Sequence, residues 1–189
     1  MKKEFRTIIH SDIKITEFQE NHISNEYIRW LNDKEVVRYS EQRHLQHNYE
    51  SCYEYFIKNK SCNCYFLAIE VIEDQQWKHI GNLGAKVDQK NKIADLSIII
   101  GDKNNWNKGF GTISWSMASL SLINLLNLRF VTAGTMQVNK PMLSIFRKSG
   151  MQIEATLPNR FLFEGDEVGL IIASGDRKTF ENFLSNNDR

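Results

Sequence analysis

The stretch "NNWNKGFGTISW", Asn104 to Trp115, sets Gly109 and Gly111 one residue apart, behind Lys108 and ahead of a long apolar segment. Upstream, "LSIII" (Leu96 to Ile100) reads as the end of a strand, so the chain leaves a strand, crosses a polar loop and enters a helix predicted from Lys108 to Leu126. That helix is apolar on two stripes, through Phe110, Ile113 and Met117 and through Trp115, Ala118 and Leu122, the pattern of a helix covered on more than one side. Glycine lets the backbone turn sharply and lets a ligand approach with no side chain between. The first amide N–H groups of a helix have no internal partner, and the helix dipole favours an anion there. A phosphate or pyrophosphate fits this loop; a plain strand-to-helix turn is the alternative. The loop lacks the glycine spacing of a P-loop, and Ser114 stands where a dinucleotide fingerprint needs its third glycine.

Working outward, helices are predicted over about 21–32, where Ile23, Tyr27, Trp30 and Leu31 recur at helical spacing, and over about 49–59. "CYFLAIEVIE" reads as a buried strand, and "HIGNLGAKV" and "KIADLSIIIG" as two more joined by the turn-rich "DQKNK". After the long helix come a strand in "LRFVTAGT" and a short helix in "NKPMLSIFRKSGM", opened at Asn139 and ended by Gly150. "QIEATL" and "VGLIIAS" add strand-like segments, and a closing helix is predicted from Arg177. Strands broken by a few long helices give a mixed α/β domain.

A chain of 189 residues, 41% hydrophobic and 25% charged, reads as a single globular domain over 1–189. With 24 basic against 23 acidic residues the net charge is +1, which argues against binding nucleic acid by bulk charge. Cys52, Cys62 and Cys64 are an odd set, so a reducing cytoplasm and no disulfide framework are expected, with Cys62 and Cys64 packing on one strand face. "LSIII" is the longest aliphatic run, against the ~20 residues that span a membrane. A cytoplasmic protein with neither membrane nor nucleic-acid partner is the expectation. His44, His47 and Cys52 find no fourth ligand, so no metal is expected.

The form "WNKGFGT", with "YIRWLNDKEVVRY", "ADLSIIIGDKNNW" and "NKPMLSIFRKSGM" in order across about 10–175, resembles the GNAT N-acetyltransferases. The likeness is greatest to their Rim-type branch, which modifies ribosomal protein N-termini, and to related acetyltransferases of nucleotide-linked amino sugars. The resemblance implies the GNAT fold, a mixed and mostly antiparallel twisted sheet with helices on both faces and a splayed cofactor cleft. It implies acetyl-CoA as co-substrate, bound by a core over about 92–150, and an acceptor side built by the helices of about 21–60. The implied cofactor residues are Ile98, Ile99 and Ile100 on the strand, Trp106, Asn107, Lys108, Gly109, Phe110, Gly111 and Thr112 in the loop, and Asn139. Asn139 also suits a plain helix N-cap.

Transfer to an amine needs the amine neutral and the thiolate able to leave. The resemblance makes Asp95 the candidate base, and Glu70 a second. The Tyr that many family members use as general acid is Phe146 here, and the Ser of Rim-type relatives is Met142. Ser144 is turned about 200° from Met142 by helical geometry. Thiolate departure without help is chemically reasonable, since a thiol titrates near ~8.5. On the acceptor side Trp30, Tyr39 and Arg43 are the candidates, Arg43 as a bidentate grip on a phosphate or carboxylate. The acceptor expected is the primary amine of a small molecule, with a nucleotide-linked amino sugar the leading choice. Protein N-termini and a non-catalytic acyl-CoA sensor are the alternatives, and a homodimer is left open.

Overall fold

Alternation of buried and accessible side chains builds most of the sheet in the computed structural model, which describes residues 2–187. The strands are β1 (Ile8–His10), β2 (Ile13–Glu17), β3 (Cys64–Glu73), β4 (Gln76–Asp88), β5 (Ile93–Ile100), β6 (Phe130–Met136), β7 (Gln152–Phe163) and β8 (Asp166–Asp176). They form one sheet in the order β1-β2-β3-β4-β5-β6-β8-β7, antiparallel throughout except for the pair β5 and β6. The hairpin β1–β2 has no counterpart in the sequence reading. Its strands are short, and its turn is made by Ser11 at φ 51° rather than by a glycine or asparagine.

Successive residues of β3 show how the two layers arise. Tyr65, Leu67, Ile69 and Val71 point into one core, while Ala68, between them, points into another. The first core lies under α3 (Phe110–Leu126), α4 (Lys140–Ser149) and α5 (Arg177–Asn187), with Trp115, Leu122, Phe146 and Phe180 fully buried in it. The second lies under α1 (Asn25–Asn32) and α2 (Tyr49–Ser61), where Phe18, Tyr27, Leu31 and Phe56 close over Ala68. Helices therefore cover both faces, and the two-stripe pattern of α3 corresponds to nine buried residues along it.

Local chemistry sets the helix ends. Ser24 accepts from the Tyr27 amide to cap α1, and Asn48 and Ser51 form a reciprocal cap on α2. Gly150, at φ 78°, ends α4 in the left-handed region. One expectation needs correction: Cys62 and Cys64 are disulfide-bonded. Cys62 follows α2 in extended backbone and Cys64 opens β3, so their side chains leave on the same side with Cα atoms 5.2 Å apart. Cys52 stays free and buried. Among the described residues no helix is long and apolar enough to cross a membrane, and no cluster of metal-ligating side chains is present.

Candidate active site

β5 keeps its full register with β4, from Asp88↔Ile93 to Gly81↔Ile100. With β6 it pairs only through Ile93↔Phe130, Ala94↔Val131 and Asp95↔Thr132. Beyond that point β6 stays with β8 as far as Met136↔Leu170, so the two parallel strands part. The edge of Leu96–Ile100 that faces β6 is left without a strand partner, which leaves polar backbone there, apart from the Ile100 carbonyl, open to a ligand. The loop beyond is tied down: Gly101 and Asp102 both donate to the Ile80 carbonyl, at 2.8 and 3.1 Å, and the Trp106 indole donates to the Ile100 carbonyl at 2.7 Å.

Gly109 caps α3 at φ 89°, following Asn107 at φ 61°, and a Cβ on Gly109 would meet nothing within 4 Å. Its carbonyl takes the amides of Thr112 and Ile113. The amides of Gly109, Phe110 and Gly111 have no acceptor among the described residues. Open space beside unpaired amides at a helix N-terminus suits an anion in shape and in charge.

The parted strands and this loop enclose a cleft of about 480 Å³. Ile98, Ile99 and Ile100 line one side, and Asn139, Met142 and Ile145 line the other. Arg38 and Tyr39, from the loop after α1, stand at the same cleft. Of the loop residues chosen from sequence, Trp106, Asn107, Gly109, Gly111 and Thr112 line it, whereas Phe110 packs against the core. Lys108 lies on an adjoining groove of about 950 Å³ with Lys148 and Lys178. The Asn139 amide is engaged at both ends, donating to Thr135 Oγ1 at 2.8 Å and accepting from the Met142 amide at 3.2 Å. It is thus an N-cap that also forms part of the cleft wall.

The other candidates are not all brought together. Asp95 sits at the last paired position, shares a strand face with Ile99, and accepts from Thr132 Oγ1 at 3.3 Å. Its carboxyl is raised from the ordinary aspartate value by desolvation, with the Thr132 hydroxyl and Lys86 acting the other way, although the residue remains solvent-accessible. It does not line the cleft. Glu70 is also remote from the cleft, buried in β3 and held between Lys14 and His22 Nε2, the latter at 3.1 Å. Trp30 packs on Gly101 and against the His79 ring, at 5.1 Å between centroids, and is not a cleft residue. Arg43 is turned back on its own loop, donating to the Ser40 carbonyl at 2.9 Å and to Glu41 at 3.0 Å. Arg38, which the sequence did not single out, takes its place at the cleft. Phe146 is buried against Trp115, away from the cleft, while Ser144 does line it together with Met142.

His22, buried, and His79, half-buried beside it, have a consequence for stability. His22 Nδ1 accepts from the Gln19 amide, so the Nε2 proton points to Glu70. His79 Nε2 lies 3.0 Å from both the Gly81 carbonyl and Asn82 Oδ1, so it carries the proton. Burial and then His22 hold the His79 pKa down to about 4; burial also lowers that of His22. A group whose folded pKa is depressed favours the unfolded chain as pH falls, because the unfolded state protonates first. Stability should therefore be level above pH ~7 and fall below ~6.5, with His79 alone costing about 2 kcal/mol by pH ~5. Urea midpoints measured from pH 8 to pH 5 test this; His79→Gln should flatten the slope, and a wild-type midpoint constant over that range contradicts it.

A sheet opened between two parallel strands, beside a helix start with free amides, has the form that suits an extended chain ending in phosphates. The chain belongs to the GNAT acetyltransferase family: the acetyltransferase (GNAT) domain matches residues 13–152. It is an acetyl-CoA-dependent N-acetyltransferase. No curated protein matches the sequence. Among solved structures, spermidine N-acetyltransferase from Vibrio cholerae in complex with CoA and spermine superposes with a TM-score of 0.79 at 16% identity, over 92% of this chain and 100% of that one. A GNAT-family acetyltransferase from Bacillus anthracis gives 0.76 at 13% identity, over 92% and 99%. One from Streptococcus pneumoniae gives 0.69 at 19% identity, over 87% and 99%. At these identities the likeness is one of fold.

Proposed function

We propose that the protein acetylates the primary amine of a nucleotide-linked amino sugar. The observation that carries this reading is the charge at the cleft. Arg38 lines it, and the acids about it are already engaged: Lys103 holds both Asp33 and Glu35, each at 2.7 Å, and Arg38 itself holds the exposed carboxylate of Glu164. A polycation such as the spermine of the Vibrio structure needs carboxylates free to receive it. An acceptor with an anionic group finds instead a guanidinium suited to bidentate contact and the face of Tyr39.

In this reading the unpaired edge of Leu96–Ile100 aligns the pantetheine arm, and the amides of Gly109, Phe110 and Gly111 take the pyrophosphate. Lys108, Lys148 and Lys178 favour the remaining phosphate in the adjoining groove. Asp95 receives the amine's proton through water, from the strand face it shares with Ile99. The leaving thiolate needs no acid from Phe146 or Met142, because a thiol of pKa ~8.5 is a fair leaving group. Asp95→Asn should lower kcat and flatten its rise with pH while leaving acetyl-CoA affinity within about twofold; a pH–rate profile identical to wild type removes Asp95 from this role.

The test of the acceptor is thiol release from acetyl-CoA with three acceptor sets: nucleoside-diphosphate-linked amino sugars, peptides with free N-termini, and spermidine. Turnover on the first is expected. Turnover confined to peptides or to spermidine overturns the reading.

A further inference from the structure

At the edge of the cleft, Arg38 meets a residue from far along the sequence. Arg38, in the loop after α1, and Glu164, at the tip of the β7–β8 hairpin, are 126 residues apart. Phe163 pairs with Asp166, so Glu164 and Gly165 alone make the turn, both in the left-handed region at φ 55° and 95°. Two such residues in succession make the tight hairpin turn that follows the twist of its strands. The turn presents the Glu164 carboxylate to Arg38 Nη2, which donates to both of its oxygens at 2.8 and 3.0 Å.

That contact uses one of the three guanidinium nitrogens. Among the described residues, no acceptor lies within hydrogen-bond reach of Arg38 Nη1 or Nε. Nor does the guanidinium depend on Glu164 alone for its position. The rings of Tyr39 and Phe163 stack at 5.4 Å with 23° between their planes, and the Arg38 guanidinium lies over both, at 5.5 and 5.4 Å from the centroids. An aromatic pair that supports the cation keeps it in place when the carboxylate leaves. The carboxylate can leave readily: the side chains are 45% and 60% exposed, and ion pairs in water contribute little to stability. A phosphate offers more charge and accepts parallel N–H bonds from the same planar fork.

Resting on the acceptor reading above, we propose that Arg38 is the residue that recognises the acceptor's diphosphate, and that Glu164 holds it until the diphosphate takes the carboxylate's place. The two residues then act in opposite directions. Removing the guanidinium weakens acceptor binding, whereas neutralising Glu164 removes a competitor and strengthens it. A clasp that only joined the loop to the hairpin would give both variants the same sign.

The experiment compares Arg38→Met, which keeps an apolar stem over the rings, with Glu164→Gln. Steady-state rates are measured on a nucleoside-diphosphate-linked amino sugar and on the same amino sugar without the nucleotide. Arg38→Met should raise KM for the nucleotide-linked acceptor about tenfold or more, with KM for acetyl-CoA and the rate on the phosphate-free sugar within about twofold. Glu164→Gln should lower the same acceptor KM by about threefold. Shifts of the same sign in both variants, or an equal loss on the phosphate-free sugar, overturn the proposal. If no nucleotide-linked sugar is turned over, the acceptor reading fails separately. Melting with uridine diphosphate, at saturating CoA, then decides for Arg38. Stabilisation of the wild type that Arg38→Met abolishes supports an anion site; no stabilisation overturns it.

Discussion

Gly109→Val should weaken acetyl-CoA binding by about a hundredfold or more, while the variant remains folded. Two independent effects act at this position. The first is on the chain itself: Gly109 sits at φ 89°, where a residue with a Cβ loses about 1–2 kcal/mol and a β-branched one more. The second is on the ligand. A Cβ on Gly109 would enter space that is empty to 4 Å beside the three unpaired amides, and valine's methyl groups would occupy room that a phosphate needs. Each charge-assisted hydrogen bond lost there is worth about 1.5–3 kcal/mol, so losing two exceeds the backbone cost. Gly111→Ala is the comparison, since its Cβ would make ordinary contacts of 3.5 Å with Ile145 and 3.6 Å with Ile100. It should leave the melting temperature close to wild type. Calorimetric titration with acetyl-CoA reads the outcome; unchanged affinity in Gly109→Val means that the phosphates lie elsewhere.

That this loop was readable from sequence has a local cause. Its signal is contained in a few consecutive residues, a strand end, two glycines and an apolar helix, and so is its structure. The cap of α4 is similar, with Asn139 and Gly150 marking its ends in sequence and in space. Features that depend on distant partners were not readable. Glu70 reads from sequence as a candidate base, but Lys14 of β2 and His22 before α1 close over it, and β2 has no counterpart in the sequence reading. Arg43 and Arg38 are equivalent by composition. What separates them is that Arg43 finds Ser40 and Glu41 within its own loop, while Arg38 reaches a hairpin that forms much later in the chain. β7 runs past Leu157, where the sequence reading ended it, because Pro158 and Asn159, the latter at φ 54°, fall in an irregular stretch of the pairing. β7 is an edge strand, where a residue without an amide proton is tolerated.

Trp30 shows how a residue chosen for ligand contact can act through the backbone instead. Gly101→Ala should be among the most destabilising single-methyl changes in the molecule, at about 3 kcal/mol. Its Cβ would fall 2.1–2.4 Å from the Trp30 ring atoms Cγ, Cδ2 and Cε3, which are the stiff centre of the side chain and cannot swing aside. The Gly101 amide is meanwhile held by the Ile80 carbonyl at 2.8 Å, so the strand end cannot retreat easily either. The strain falls on the end of β5, next to Ile98–Ile100, and acetyl-CoA affinity should drop along with stability. Trp30→Ala alone removes ring contacts to Gly101, Tyr27 and His79 and should cost about 2–4 kcal/mol, less than a fully buried tryptophan. In the double variant the new methyl enters the space the indole has left. Its cost should therefore fall at least ~1 kcal/mol short of the sum of the single changes. Urea unfolding of the four proteins measures this coupling. Strictly additive costs would mean that Trp30 does not rest on Gly101.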